Sequence, residues 1–293
     1  YSIPKSWNDL KLEQQLYCYT ILMGNLPFFE VDSILPTKRI ECAKKLLKLD
    51  DEFLKEWEAD CLQEDSENGK AIFLTELQEV ANVMTDFLFE KVEKTEDQYQ
   101  IALTLTISPY PEICYRNTKD NLKKLYPPAD ELENMTIYEL ATTFTLFEAY
   151  LEHQEEDLVN QLIATLYRPH KPKTKDNKRK AYEGDRRLPL LNYEATIPKR
   201  AKQLSQMPIA AKQLILFWFA SCRHQIIQSY PNIFEKPKAG KQIGNDYGWG
   251  GLLMELAGGL VHLDAVSRQN YANAFTRFSY LEDQRKLAEL RKK

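Results

Sequence analysis

The sequence predicts a mainly α, multi-helix globular protein with a small β-hairpin. Three observations lead there. Apolar residues recur at three- and four-residue spacing through most of the chain, the repeat of a helix with one buried face. Only Ile101, Leu103, Leu105 and Ile107 alternate cleanly with smaller or polar neighbours, which is the two-residue repeat of a half-buried strand. Leu214 to Ala220 is apolar at every position, as expected for a helix surrounded by others.

In chain order, Asn8 or Asp9 is a candidate cap for a helix running to about Leu22, and Gly24, Pro27 and Pro36 then mark a loop. A second helix, about Lys38–Leu49, places Ile40, Ala43, Leu46 and Leu47 on one face. A third, near Glu52–Leu62, carries Phe53, Leu54, Trp57 and Leu62. After the polar break Glu64–Gly69, the helical period returns from Ala71 to about Phe89 through Phe73, Leu74, Leu77, Val80, Ala81, Met84 and Leu88. Phe87–Val92 is the expected antiparallel partner of the Ile101–Ile107 strand, across a turn at Glu93–Asp97. A lone hairpin is marginal in water, so it must pack on helices or on another chain.

Pro109, Pro111, Pro127 and Pro128 bound a connection predicted to be irregular. Thr136-Ile137-Tyr138-Glu139 has the capping-box pattern and opens a helix with Ile137, Leu140, Ala141, Phe144, Phe147 and Leu151 on one face. A stripe of Leu158, Leu162, Ile163 and Leu166 follows and stops at Arg168-Pro169, because proline removes a backbone donor and restricts the residue before it. Ser205 and Pro208 start the all-round apolar helix, which runs to about Tyr230. Beyond Pro231 and Pro237, a glycine-rich turn from Gly244 to Gly251 places Trp249 at a helix start. Two helices joined near Gly258-Gly259 complete the chain, the last showing Val266, Tyr271, Phe275, Phe278 and Leu281. The prolines divide these elements into three segments: 1–125, 126–235 and 236–293.

At 293 residues the chain can bury a sizeable core, and 43% apolar with 28% charged residues is ordinary for a folded domain. The net charge of −4 defines no partner, but its distribution is uneven. Residues 51–100 hold fifteen acids against four lysines, whereas 168–187 hold nine cations against three acids. Five cysteines, widely spaced and without a CxxC pair, signal neither a disulfide framework nor a zinc site, which fits a reducing compartment. Tyr1–Leu10 lacks a basic region followed by an apolar stretch, so secretion is not expected. The longest apolar run falls far short of the ~20 residues that span a bilayer, and no membrane association is expected.

The search for chemistry gives no catalytic, cofactor or metal site. His153, His170, His224 and His262 lie outside any metal-ligand spacing. The glycines between 244 and 251 fit neither phosphate-loop pattern, and no nucleophile motif is present. What stands out is 168–187. Arg168, Lys171, Lys173, Lys175, Lys178, Arg179, Lys180, Arg186 and Arg187 face only Asp176, Glu183 and Asp185, which reads as an exposed basic arm, since a core cannot hold so many unpaired cations. These nine residues and Trp249 are the candidate partner-binding positions. Closely spaced cations also suit phosphates, but aromatic platforms are few there, with Tyr167 and Tyr182 alone, and no DNA-binding helix motif is evident.

The order of several short motifs resembles a group of tailed-bacteriophage proteins, the tail assembly chaperones and tail accessory proteins. The motifs are Trp7-Asn8-Asp9-Leu10 with Leu12 and Gln14, Met135-Thr136-Ile137-Tyr138-Glu139-Leu140, and Leu166-Tyr167-Arg168-Pro169. Asp185-Arg186-Arg187-Leu188-Pro189, Tyr247-Gly248-Trp249 and Leu256-Ala257 follow them, and an aromatic C-terminal helix ends in charge. The resemblance implies a non-enzymatic protein-binding factor in phage tail assembly, keeping the tape-measure protein soluble in the host cytoplasm. It implies no catalytic residue and no cofactor. A structural virion component at neck, tail or capsid interior remains an alternative. So does a nucleic-acid-binding accessory protein using the basic arm, and so does a metal-independent enzyme with a site built from unrecognised residues.

Overall fold

The computed structural model describes residues 4–23, 35–91, 99–116, 121–172, 185–190, 193–234 and 248–291. The protein is mainly α with small antiparallel hairpins, and it divides into two compact units, Tyr1–Leu105 and Thr106–Lys293. The boundary thus falls after Leu105 rather than near 125, and the segments 126–235 and 236–293 share one unit.

The first unit is built from α1 (Leu12–Met23), α2 (Leu35–Leu47), α3 (Asp51–Glu64) and α4 (Gly69–Thr85). The expected start at Asn8 or Asp9 is instead a 3-10 turn, Trp7–Asp9, in which the Asp9 carboxylate accepts the Lys5 and Ser6 amides at 2.8 and 3.0 Å. Trp7 is fully buried. Asp50 caps α3 by accepting the Phe53 amide at 2.8 Å, and Asp65 closes its far end by accepting the Glu67 and Asn68 amides at 3.0 Å each. Leu54, Cys61, Phe73 and Leu77 form one core cluster, and Ala43, Ala81 and Met84 form another between α2 and α4. Phe53, Leu62 and Leu74, expected in the stripe, are exposed.

Helices α3 and α4 meet at Gly69, where a Cβ would stand 2.5 Å from the Cys61 carbonyl oxygen. That backbone cannot move without displacing α3. Gly69→Ala is therefore expected to destabilise the unit by about 1–3 kcal/mol, as overpacking does, despite alanine's better helix propensity. An unchanged urea midpoint would show that the two helices can separate freely.

The expected hairpin is present as β1 (Phe89–Lys91) and β2 (Tyr99–Ile101), with Phe89 opposite Ile101; the Glu93–Asp97 turn lies outside the described residues. The strand predicted to run on to Ile107 ends at Ile101. The Ala102 amide still bonds to Leu88 at 2.8 Å, but the Thr104 amide folds back on the Ala102 carbonyl, which breaks the ladder. Ile107 is exposed and the neighbouring Thr106 is buried, the reverse of the expected alternation.

The second unit holds a hairpin that the sequence reading assigned to irregular chain: β3 (Ile113–Arg116) pairs with β4 (Leu122–Leu125). Helices α5 (Ile137–His153), α6 (Glu156–Leu166), α7 (Tyr193–Leu204) and α8 (Ile209–Ser229) follow, then α9 (Pro231–Phe234), α10 (Gly248–Ala257), α11 (Leu263–Ser267) and α12 (Tyr271–Leu290). Both halves of the predicted capping box form. The Glu139 amide bonds to Thr136 Oγ1 and the Thr136 amide to Glu139 Oε2, each at 3.2 Å. Leu151, at the far end of the predicted α5 stripe, is exposed. Leu214 through Ala220 of α8 are all buried, as the unbroken apolar run requires. Trp218 donates its indole N–H to the Thr106 carbonyl at 3.0 Å and meets Tyr167 edge-on. Val266, expected in the last helix, belongs to the separate short α11.

Candidate functional site

The α6 helix stops at Leu166 and the chain turns into an extended run. Tyr126, just past β4, exchanges both backbone hydrogen bonds with Arg168, at 2.9 and 3.0 Å. Two residues on, His170 lies opposite Arg187 in a second antiparallel bridge: the Lys171 amide bonds to the Arg186 carbonyl and the Leu188 amide to the Pro169 carbonyl, each at 2.8 Å. The two ends of the basic stretch are thereby fixed side by side. The His170 ring also stacks on Tyr126 at 3.6 Å between centroids.

Four charges lock this pairing. Arg168 reaches Glu139 Oε1 through Nη1 at 2.5 Å and Asp185 Oδ2 through Nη2 at 3.2 Å, and Nη1 also donates to the Leu188 carbonyl at 2.8 Å. Arg187 binds the same Asp185 through Nε and Nη2, at 2.9 to 3.2 Å, donates to the Leu166 carbonyl through Nη1 at 2.7 Å, and has Glu139 Oε2 at 3.8 Å. Two arginines and two carboxylates cancel. Both arginines are almost wholly buried, at 1% and 2% exposure, and Glu139 is at 3%. Glu139 therefore does two jobs: one oxygen caps α5 and the other pairs with Arg168.

Burial, with Arg168 beside it, pulls the Arg187 guanidinium below the usual arginine range, against the pull of Asp185 and Glu139. Desolvation, and then Arg186, lower the His170 pKa, which favours the neutral ring on Tyr126. Above the clasp lies a cleft of about 560 Å³, bordered by Glu139, Asp185 and Arg187 and closed on one side by Asp264, Ser267 and Arg268. The junction of α11 and α12 is held there by backbone bonds from Ile137 to Gln269 at 2.9 Å and from Tyr271 to Met135 at 3.1 Å.

The expected exposed arm is therefore wrong at both of its ends. Arg168 and Arg187 are structural, because their counter-charge comes partly from Glu139 on α5, which no local count of acids could include. Lys171 is half-buried and donates to the Asp185 carbonyl at 2.7 Å, and Arg186 is exposed. Lys173, Lys175, Lys178, Arg179 and Lys180 lie outside the described residues.

Trp249 stands at the second residue of α10, as predicted, but within an aromatic cluster far from the clasp in sequence. It packs against Phe144 edge-on at 5.4 Å and against Phe234 at 6.0 Å, and it stacks with Phe275 at 6.2 Å. Trp249, Phe144 and Phe234, with Leu252 and Phe278, line a 400 Å³ cavity. Much of the Trp249 surface thus serves the fold. Among the described residues no group of three or more His, Cys, Asp or Glu is arranged to hold a metal ion, and no helix is long and apolar enough to cross a membrane. No protein-family model, curated protein or solved structure matches this chain.

Proposed function

We propose that this chain is a non-enzymatic protein-binding factor, and on the motif resemblance, one that serves bacteriophage tail assembly with the tape-measure protein as its client. The observation that carries the binding reading is the clasp. The densest group of buried charges described above is neutralised internally, with each carboxylate committed to an arginine. Such a group has no free acid or base to offer a substrate, and its work is to hold both ends of the cation-rich stretch in place. The acidic α3 helix supplies a charged surface, with Phe53 half exposed among Asp51, Glu52 and Glu56. Opposed charge in separate segments of the sequence suits steering of a mixed-charge client.

Deletion of the gene from its source genome tests this. Loss of an assembly factor leaves heads without normal tails, and mass spectrometry of purified particles then separates a chaperone, absent from them, from a virion component, retained in them. Accumulation of a metabolite on deletion, with normal particles, would overturn the proposal in favour of an enzyme.

A further inference from the structure

We propose that the edge of β3 opposite β4 is a docking site for an extended, acidic segment of a partner protein, which adds to the β3–β4 hairpin as a third strand. This rests on the protein-binding reading above and names one surface that would serve it.

One edge of β3 is taken up by β4, in register from Ile113 opposite Leu125 to Arg116 opposite Leu122. The other edge borders a cleft of about 730 Å³, within the size range of specific binding sites. Every residue from Glu112 to Arg116 lines that cleft. Successive strand side chains point to opposite faces, so a cleft that touches all of them runs along the edge, where the outward amides and carbonyls lie. Among the described residues, no element other than β4 makes a backbone hydrogen bond to Ile113, Cys114 or Tyr115. The facing wall is the end of α7 and the turn into α8, from Lys202 to Pro208. A channel between a strand edge and a helix end is the geometry in which extended peptides bind by strand addition.

The lining indicates what kind of peptide. Ile113, Leu204 and Ala211 are buried and supply an apolar floor for one alternate side chain. Lys202 is exposed at the rim and has no ion pair among the described residues; Lys199 lies one turn before it on α7. Glu112 is the carboxylate of the lining, and Lys124 already neutralises it at 2.7 Å. The uncommitted charge is positive, so the complementary segment is acidic. Lysines commonly guard free strand edges against unwanted pairing, and here the adjacent pair Lys123-Lys124 sits on β4, not β3.

Cys114 makes the test direct. It is the exposed cysteine of the chain and lines the cleft, while Cys18, Cys42, Cys61 and Cys222 are buried and all five thiols are free. The probe is a capped octapeptide of alternating glutamate and valine, and the readout is the rate at which an aromatic disulfide reagent modifies Cys114. Saturating peptide is expected to slow that rate by at least about tenfold, as burial does to a reactive thiol. Two further peptides, N-methylated on odd or on even amides, separate strand addition from charge attraction. One of them is expected to lose protection and the other to keep it, because only alternate amides face β3. Lys202→Glu is expected to weaken protection by about tenfold with unchanged melting.

Absence of protection, equal protection by both methylated peptides, or equal protection by an alternating lysine–valine peptide would each overturn the proposal. A chain blocked at Cys114 with a bulky maleimide that still binds its tail-protein client would remove the edge from the interaction while leaving the protein-binding function intact.

Discussion

Glu139→Ala is expected to destabilise the second unit by about 3–5 kcal/mol, read as a fall in the urea midpoint. The substitution leaves Arg168 and Arg187 buried with one carboxylate, Asp185, between them, and an unpaired buried charge costs more than the ion pair itself contributes. It also removes the acceptor for the Thr136 amide at the start of α5, adding about 1 kcal/mol on the scale of other capping losses. Glu139→Gln keeps an acceptor in place for the cap but not the charge, so it is expected to fall between the two. Joint replacement of Glu139 and Arg168 by apolar residues of similar size is expected to cost less than Glu139→Ala alone, since a matched buried pair can be exchanged for packing at little loss. If Glu139→Ala left the midpoint unchanged, the clasp would have to be wet and loose, and it could not fix the ends of the basic stretch.

Trp218→Ala is expected to cost about 3–5 kcal/mol, the range for truncating a large aromatic residue in a packed interior. Its ring is fully buried in α8, against Tyr167, whose own hydroxyl is held by Ser108 at 2.7 Å. Trp218→Phe keeps most of the volume but gives up the N–H bond to Thr106, and about 1–2 kcal/mol is expected from that loss. The same carbonyl keeps the Glu131 amide at 3.0 Å and the Cys222 thiol at 3.6 Å, which limits the penalty. Thermal unfolding followed by tryptophan-independent circular dichroism separates the two variants, and equal stability of both with the parent would place Trp218 outside the core.

How much of this was legible depends on how far each signal reached along the chain. The α8 core could be read because seven consecutive apolar residues leave a helix no face for water. The start of α5 could be read because both halves of its cap lie within four residues. The second role of Glu139 could not, because its partner is 29 residues away and lies beyond the end of another helix. The sequence-adjacent acids of 168–187 were counted correctly, yet the count missed the carboxylate that matters most. The β3–β4 hairpin escaped because Cys114, Lys123 and Lys124 are exposed and give no apolar alternation, so the pairing is visible only once the strands meet. Helix α7 carries Pro198 inside it and buries the short stripe of Ile197, Ala201 and Leu204, a helical spacing that the prolines and charges around it obscured.

The unbroken apolar run Leu214–Ala220 of α8 has a consequence for synthesis. α8 emerges from the ribosome after α5 and α6, and Phe144, Phe147 and Tyr167 are already available to cover Phe219 and Trp218 on that side. The remaining cover is still untranslated at that moment. Tyr230 and Phe234, at the far end of the same stretch, wait for Phe275 of α12 to complete their ring contacts. Between those two points the nascent chain carries an apolar, half-clad surface, the condition in which large chains associate wrongly. A C-terminal truncation before α12 makes that passing state permanent. A stop codon placed there therefore yields a chain prone to aggregate, even though every residue of the clasp and its α11 neighbours has already been made.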